Sequence, residues 1–293
     1  MLPTVCSTRI VNTNIALSRV RDAGLTYESL NALGVWQTMP TISLDDMREV
    51  RLMNRIDTKY VLSESEVLEL LDRAAKEGYM VQAIGDVRAC RYDTLYYDTS
   101  ERDMYVTHHN QQLVRQKIRT RTYLETDVTY LEIKNKTNRG RTKKRRTPIS
   151  REHFVGFDRA AEALDFYRAN ARYDIDAVSP ALATRFVRIT LVNPSLTERL
   201  TIDLSLGYED VRSHRAAAVR DMAIVELKQD GNTVSRLKLI MRDMRIAPLK
   251  VSKYCLGTAL TVDGIKKNRF KLKLRNIEKR LGGLTIERCN TEK

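Results

Sequence analysis

Along most of the chain, polar and apolar positions alternate with the period of two that marks strands with one wet face. Lys117, Arg119, Arg121 and Tyr123 share one side, with Ile118 on the other. Glu132, Lys134 and Lys136 oppose Leu131 and Ile133, and Lys144 and Arg146 fall together a few residues later. Arg188 and Thr190 oppose Val187, Ile189 and Leu191, while Arg199, Thr201, Asp203 and Ser205 oppose Leu200, Ile202 and Leu204. Glu226 and Lys228 oppose Val225 and Leu227. The pattern predicts strands at 57–62, 90–98, 113–124, 129–136, 142–149, 183–192, 198–206, 222–229 and 250–255.

Helical spacing is confined to a few segments. Ser43 with Asp46 caps a short predicted helix over 47–52, and Ser63 with Glu66 makes a capping box ahead of Val67, Leu68, Leu70 and Leu71. Residues 151–170 and 232–245 have helical periodicity, and 265–281 sets Phe270, Leu274, Ile277 and Leu281 on one stripe among basic residues. His108 and His109 read as part of a polar surface turn with Asn110, Gln111 and Gln112. No unit of 20–50 residues repeats, so the pattern is not that of a solenoid or propeller. Many antiparallel strands with few helices predict an α+β fold built on a large sheet or barrel.

Charge changes this picture. The 293 residues carry 51 Lys and Arg against 37 Asp and Glu, a formal net charge of +14. On any one strand, alternation fits an ordinary sheet with a solvated face. Rows of like charge on adjacent strands repel, however, and here strand after strand places Lys or Arg on its polar side. If the sheet closes, that side becomes the lining of a cationic tunnel, and removing Arg119 or Arg199 stabilises the empty protein. The partner is then a polyanion: nucleic acid, an anionic membrane surface or a phosphate-rich small molecule. A basic surface kept for solubility is the plainer alternative. Asp57, Glu132, Asp203 and Glu226 lie among these cations, each as a salt-bridge partner or together as a site for Mg2+ or Mn2+ in phosphoryl transfer.

Cys6, Cys90, Cys255 and Cys289 form no CxxC pair, and no segment is apolar over the roughly 18 residues of a membrane span. With no signal-peptide pattern either, a cytoplasmic location is expected. There is no GxxxxGK[ST] loop, so a nucleotide is not held by a P-loop.

The ordered pieces RIDTKY (55–60), RYDTLYYDT (91–99), KIRTRTY (117–123) and LEIKNKTNRGRTKKRR (131–146) resemble the VTC-type polyphosphate polymerase domain, a branch of the triphosphate tunnel metalloenzymes. RFVRITL (185–191), ERLTIDLSL (198–206), IVELK (224–228) and SKYCLGT (252–258) continue the match. The resemblance implies a closed antiparallel β-barrel, a tunnel of about eight strands with flanking helices. It implies that Lys59, Arg119, Arg121, Lys134, Arg188, Arg199 and Lys253 act on the phosphates. Lys136, Lys144, Arg146, Tyr123 and Ser252 would bind substrate, and Glu226 would hold the Mn2+ or Mg2+ cofactor. Position 144 competes with Lys143 by one residue. Residues 1–42 are then an N-terminal appendage, 43–262 the catalytic domain, and 263–293 a basic amphipathic helix with a tail.

The implied activity transfers the γ-phosphate of ATP onto a growing polyphosphate chain. The partners are ATP and polyphosphate, with a membrane protein as a candidate partner and no specific nucleic acid. The wider tunnel family opens with two carboxylates and a lysine at alternating positions, whereas here Arg55 precedes Asp57 and Lys59, which favours synthesis. Three alternatives stand beside it. A hydrolase of triphosphate or short polyphosphate needs the same tunnel. An RNA-binding protein would use the run 139–146, although aromatics are only 6% of the chain. A non-catalytic polyphosphate sensor would bind chains without nucleotide turnover.

Overall fold

The computed structural model of the protein describes residues 24–50, 55–231, 234–283 and 285–290. Residues 1–23 of the predicted appendage and 51–52 of the predicted short helix lie outside them; 46–49 form a 3-10 turn. The strands are β1 (Thr41–Ile42), β2 (Arg55–Leu62), β3 (Met80–Gln82), β4 (Ala89–Asp98), β5 (Arg115–Tyr123) and β6 (Val128–Lys136). They continue as β7 (Thr142–Ile149), β8 (Ser179–Val192), β9 (Glu198–Asp210), β10 (Arg215–Val219), β11 (Ala223–Asp230) and β12 (Ile286–Asn290). The helices are α1 (Tyr27–Asn31), α2 (Glu64–Lys76), α3 (Asp103–His109), α4 (Ala161–Asn170), α5 (Arg236–Asp243), α6 (Lys253–Thr261) and α7 (Asn268–Leu281).

The curled wall runs β2–β11–β9–β8–β4–β5–β6–β7, each pair antiparallel. The first half of β9 pairs with β11 and the second with β10, so one long strand serves two neighbours.

The α+β class is as expected, but the expected closed barrel is not formed. Among the described residues β2 and β7 do not pair, and the sheet is a curled half-barrel. The reason lies at both edges. The Leu249 N–H donates to the Lys59 carbonyl at 2.7 Å, so the coil before α6 occupies the β2 edge that a closing strand would need. On the other side, β7 exposes Lys143, Lys144, Arg145 and Arg146 in succession and carries Pro148, which has no N–H to donate. Lys and Pro are the residues that blunt a free edge.

The outer face of the wall is apolar, as alternation requires. Leu191, Leu200, Ile202, Leu204, Val225 and Leu227 are buried with Val67, Leu70 and Leu71 of α2 and Leu237 of α5. Leu95, Ile118, Leu131 and Ile133 lie with Phe157 and Tyr167 of the α4 region. Each such side chain contributes about 1.5–3 kcal/mol of burial, so this layer holds the curl against the repulsion inside it. The capping box of α2 is formed in both directions: Glu66 N–H donates to Ser63 Oγ at 3.2 Å and Ser63 N–H to Glu66 Oε2 at 2.8 Å. Residues 151–170 break into two 3-10 turns before α4; of the helix predicted over 232–245, residues 232–233 lie outside the described residues and the rest holds α5, capped by Ser235. Leu30, Trp36 and Met39 pack into the same outer core.

The strand expected at 250–255 is instead the start of α6. Ser252 Oγ accepts from the Cys255 N–H at 3.3 Å, an N-cap that turns the chain into a helix. This helix plugs one end of the half-barrel, packing Tyr254, Leu256 and Leu260 among Val61, Tyr96, Leu182, Phe186, Tyr208 and Ile224. Gly257 permits the approach: a Cβ there would collide with the Tyr208 ring and lie 2.8 Å from Leu182 Cδ2. Among the described residues, no helix is long and apolar enough to cross a membrane.

Candidate functional site

Strand register assembles the site. Lys117, Lys134 and Lys144 stand abreast on β5, β6 and β7, and Arg119, Glu132 and Arg146 form the next row. On the facing wall Lys59, Glu226 and Thr201 are abreast, followed by Asp57, Lys228 and Arg199. Arg188 lies opposite Asp203 on β8 and β9. From the plugged end, Ser252 and Lys253 reach in at the first turn of α6. Lys117 Nζ donates to Ser252 Oγ at 2.8 Å, and Lys59 Nζ to the Val251 carbonyl at 3.4 Å, so the two walls converge there.

Three carboxylates of the site are each held by two cations. Glu132 accepts from Arg119 Nε at 2.6 Å and also pairs with Lys144. Asp203 takes both arms of Arg188, at 2.5 and 2.8 Å, and pairs with Lys253. Glu226 lies 3.3 Å from Lys59 and 3.1 Å from Lys228. Burial pushes all three carboxyls up. Arg119 and Arg121 around Glu132, Arg188 and Lys253 around Asp203, and Lys228 and Lys59 around Glu226 outweigh it and hold them below the usual carboxylate range. Exposure separates the three: the Glu132 and Asp203 side chains are 2% and 3% exposed, whereas that of Glu226 is 20% exposed and open to the lumen.

Cations remain after this pairing. Among the described residues, Arg121, Lys134 and Arg199 form no ion pair. Arg121 Nε donates to Thr94 Oγ1 at 3.0 Å, and its guanidinium lies 5.5 Å from the Tyr92 and Phe186 ring centres. Arg199 has a buried Nε with no hydrogen-bond partner. Lys134 is reached by solvent through the lumen although protein surrounds it. Burial, then the neighbouring like charges, push Lys117 and Lys134 down to about 8. Burial likewise brings Lys144 to about 7 and Lys228 and Lys253 to about 8, despite their carboxylate partners. Tyr96, Lys117, Arg119, Glu132, Lys134 and Lys144 enclose a space of about 30 Å3. The lumen is thus filled by its own ion pairs. Planar Arg forks and Lys point charges suit phosphate oxygens.

The depressed lysines make binding and stability respond to pH in opposite directions. A lysine whose folded pKa lies below its unfolded value releases its proton on folding, so stability rises with pH between the two. Raising the pH from about 8 toward 10 therefore raises the melting temperature of the ligand-free protein through these groups. Over the same range the attraction of the lumen for a polyanion such as polyphosphate falls, because Lys117, Lys134, Lys228 and Lys253 lose charge through about 8. Calorimetric melting and chain binding measured at several pH values check both signs; parallel rather than opposed trends would contradict the account.

The remaining site residues fall into place on this frame. Tyr123 packs edge-on to Tyr92, Arg146 is exposed and lies over the Tyr130 ring at 4.4 Å, and Lys136 is half-buried at the end of β6 level with Thr142. Asp57 pairs at 2.6 Å with Arg55 near the mouth and does not join the other carboxylates. Register places Lys144, rather than Lys143, against Glu132 and Lys134. Lys117 and Lys228 join the site although the resemblance does not carry them; their place in the alternation was their signal. His108 and His109 do not form a surface turn. They end α3, where His109 is 1% exposed and His108 Nδ1 lies 3.1 Å from Cys255 Sγ. Burial and then Lys117 push His108 down to about 2, so it is neutral. Asp98 and Thr99 capping the Met104, Tyr105 and Asp103 N–H groups are what mark this helix.

Among the described residues, no group of three or more His, Cys, Asp or Glu side chains is placed to hold a metal ion. Among the described residues the carboxylates reachable from the lumen are Glu226 and, one row away and engaged by Arg55, Asp57. That fits Mg2+ or Mn2+ in the manner of ions held by one or two carboxylates, with waters and substrate phosphates supplying the rest.

No curated protein sequence matches the chain. Solved structures with a similar course include a putative adenylate cyclase from Vibrio parahaemolyticus, 12% identical with a TM-score of 0.43, covering 70% of this chain and 99% of that one. A putative adenylyl cyclase from Hippeastrum, described as having a dominant triphosphatase activity, is 13% identical with a TM-score of 0.46, covering 72% and 98%. A protein from Pyrococcus horikoshii is 13% identical with a TM-score of 0.39, covering 70% and 98%. The VTC domain matches residues 54–262, from β2 through the end of α6. With most of its length in that match and the matched strands building the cationic lumen, the chain belongs to the VTC-domain family.

Proposed function

We propose that the protein is a polyphosphate polymerase, transferring the γ-phosphoryl group of cytoplasmic ATP to the end of a polyphosphate chain held in the lumen. The observation that carries this reading is the surplus of lumen-facing cations left after Glu132, Asp203 and Glu226 are paired, in a domain of the VTC family. One new P–O bond forms to a terminal oxygen of the chain, the bond between the β–γ bridging oxygen and the γ-phosphorus breaks, and ADP leaves. A divalent ion at Glu226, Mn2+ or Mg2+, would supply neutralisation of the charge on the transferring phosphates.

The chain's own residues do the positioning. Arg119, Arg121, Arg188 and Arg199 present guanidinium groups whose geometry matches non-bridging oxygens, and Lys59, Lys134 and Lys253 supply point charges between them. Ser252, already a partner of Lys117, is placed to donate to a phosphate at the plugged end. Because α6 fills that end with apolar side chains, the chain has a floor to abut rather than an open pipe.

The test is incubation with ATP and Mn2+ followed by gel electrophoresis. Chains that survive until an exopolyphosphatase digests them are the expected product. Release of free phosphate with no chain would replace this reading with hydrolysis.

A further inference from the structure

The β6–β7 hairpin carries basic residues on both faces, and the lumen uses only one of them. Lys144 and Arg146 point inward, while Lys143 and Arg145 point out of the wall toward the C-terminal end of α4. There they line a cleft of about 190 Å3 with Asn135, Ala169 and Asn170. The cleft differs from the rest of the outer wall. Elsewhere outward positions are Ile118, Leu131 and Ile133, buried under apolar residues, but here they are Gln116 and Asn135.

Two ordinary explanations for these cations fail. The first is that they neutralise the negative end of α4. The Asn170 carbonyl is already bonded, by Asn135 Nδ2 at 2.9 Å and Gln116 Nε2 at 3.4 Å. Arg145 meets only the Asn170 side chain, at 2.8 Å, and Lys143 bonds to neither. The second is a solvated strand of mixed charge. Among the described residues, Arg139, Arg141, Lys143, Arg145 and Arg172 form no ion pair, so the hairpin tip and its outer face carry one sign only. Like charges so close together destabilise unless an anion joins them. The same sign continues inward around the rim through Lys136 to Lys134, so the cationic track has no break between the lumen and the cleft.

We infer that the outer cleft at Lys143 and Arg145 is a second polyanion site, which holds the part of a long polyphosphate chain that has left the lumen and passed over the hairpin. This rests on the polymerase reading of the lumen and extends it: the lumen holds the few phosphates that react, and the cleft governs retention of the chain beyond them.

The test compares the K143A/R145A protein with wild type for binding to tripolyphosphate, to a polyphosphate of about 100 units and to a single-stranded RNA of similar charge. Expected is a loss of about tenfold in long-chain affinity, a shallower salt dependence by about one to two units of slope, unchanged tripolyphosphate affinity, and a ligand-free melting temperature no lower than that of wild type. Because both side chains are exposed, the variant folds. If tripolyphosphate binds and the long chain binds the variant as well as wild type, the outer site is overturned and the lumen reading stands. If the variant loses RNA but keeps the long chain, the face belongs to nucleic acid and the inference is likewise overturned. Failure of wild type to bind tripolyphosphate at all would sink the lumen reading itself.

Discussion

On the polymerase reading, Glu226→Gln loses chain synthesis by about 100- to 1000-fold while the protein stays folded, a loss of the several kcal/mol that a divalent ion at that carboxylate would contribute to phosphoryl transfer. The size of the effect follows from scarcity. Glu132 and Asp203 are almost wholly buried and saturated by their cations, so neither can move to replace the lost ligand. Folding survives because Lys228, already brought to about 8 by burial, sheds its proton more readily once the carboxylate is neutral. Lys59 retains the Val251 carbonyl at 3.4 Å. Glu226→Asp keeps the charge on a shorter stem and recovers part of the activity at raised Mn2+. Measured turnover of Glu226→Gln within a few-fold of wild type would remove the residue from the metal site.

Legibility divided along a physical line. Which face each residue occupies is local, because period two follows from backbone geometry alone; Arg119, Lys134 and Glu226 could be put on the polar side without knowing any contact. Register and closure are not local. That Lys144 meets Glu132, or that Leu249 takes the β2 edge at Lys59, depends on segments far apart in the chain. The helix α6 escaped for a different reason. From Tyr254 to Thr261 it is buried on every side, so no apolar stripe repeats at 3.6, and the short apolar run looks like a strand. The Ser252 cap was its one local mark. The two histidines were misplaced because polar neighbours suggest a turn, whereas the caps from Asp98 and Thr99 precede them by several residues.

The sharpest consequence of the pairing concerns two arginines that alternation treats as equals. Both were expected to destabilise the empty lumen; the structure separates them. Arg119 is a partner of Glu132 at 2.6 Å and of the Tyr96 hydroxyl at 3.2 Å. Removing one member of a buried pair leaves its partner's charge without compensation, which costs about 3–5 kcal/mol, and Lys144 brings Arg119→Met toward the lower end. Arg199 has no such partner. Burial, then Arg188 and Arg55, push its guanidinium below the usual range, so its charge is a net burden in the absence of ligand. Arg199→Met is therefore expected to raise stability by about 1–2 kcal/mol, as replacing uncompensated buried charge does. At roughly 2–4 °C per kcal/mol, Arg119→Met melts well below wild type and Arg199→Met a few degrees above it. On the polymerase reading both also lose affinity for polyphosphate, because each removes a cation from the proposed path of the chain. Thermal melting with and without tripolyphosphate decides the matter. Equal shifts in the two variants would mean that the Glu132 pairing does not hold the lumen together, and that its cations share one diffuse repulsion instead.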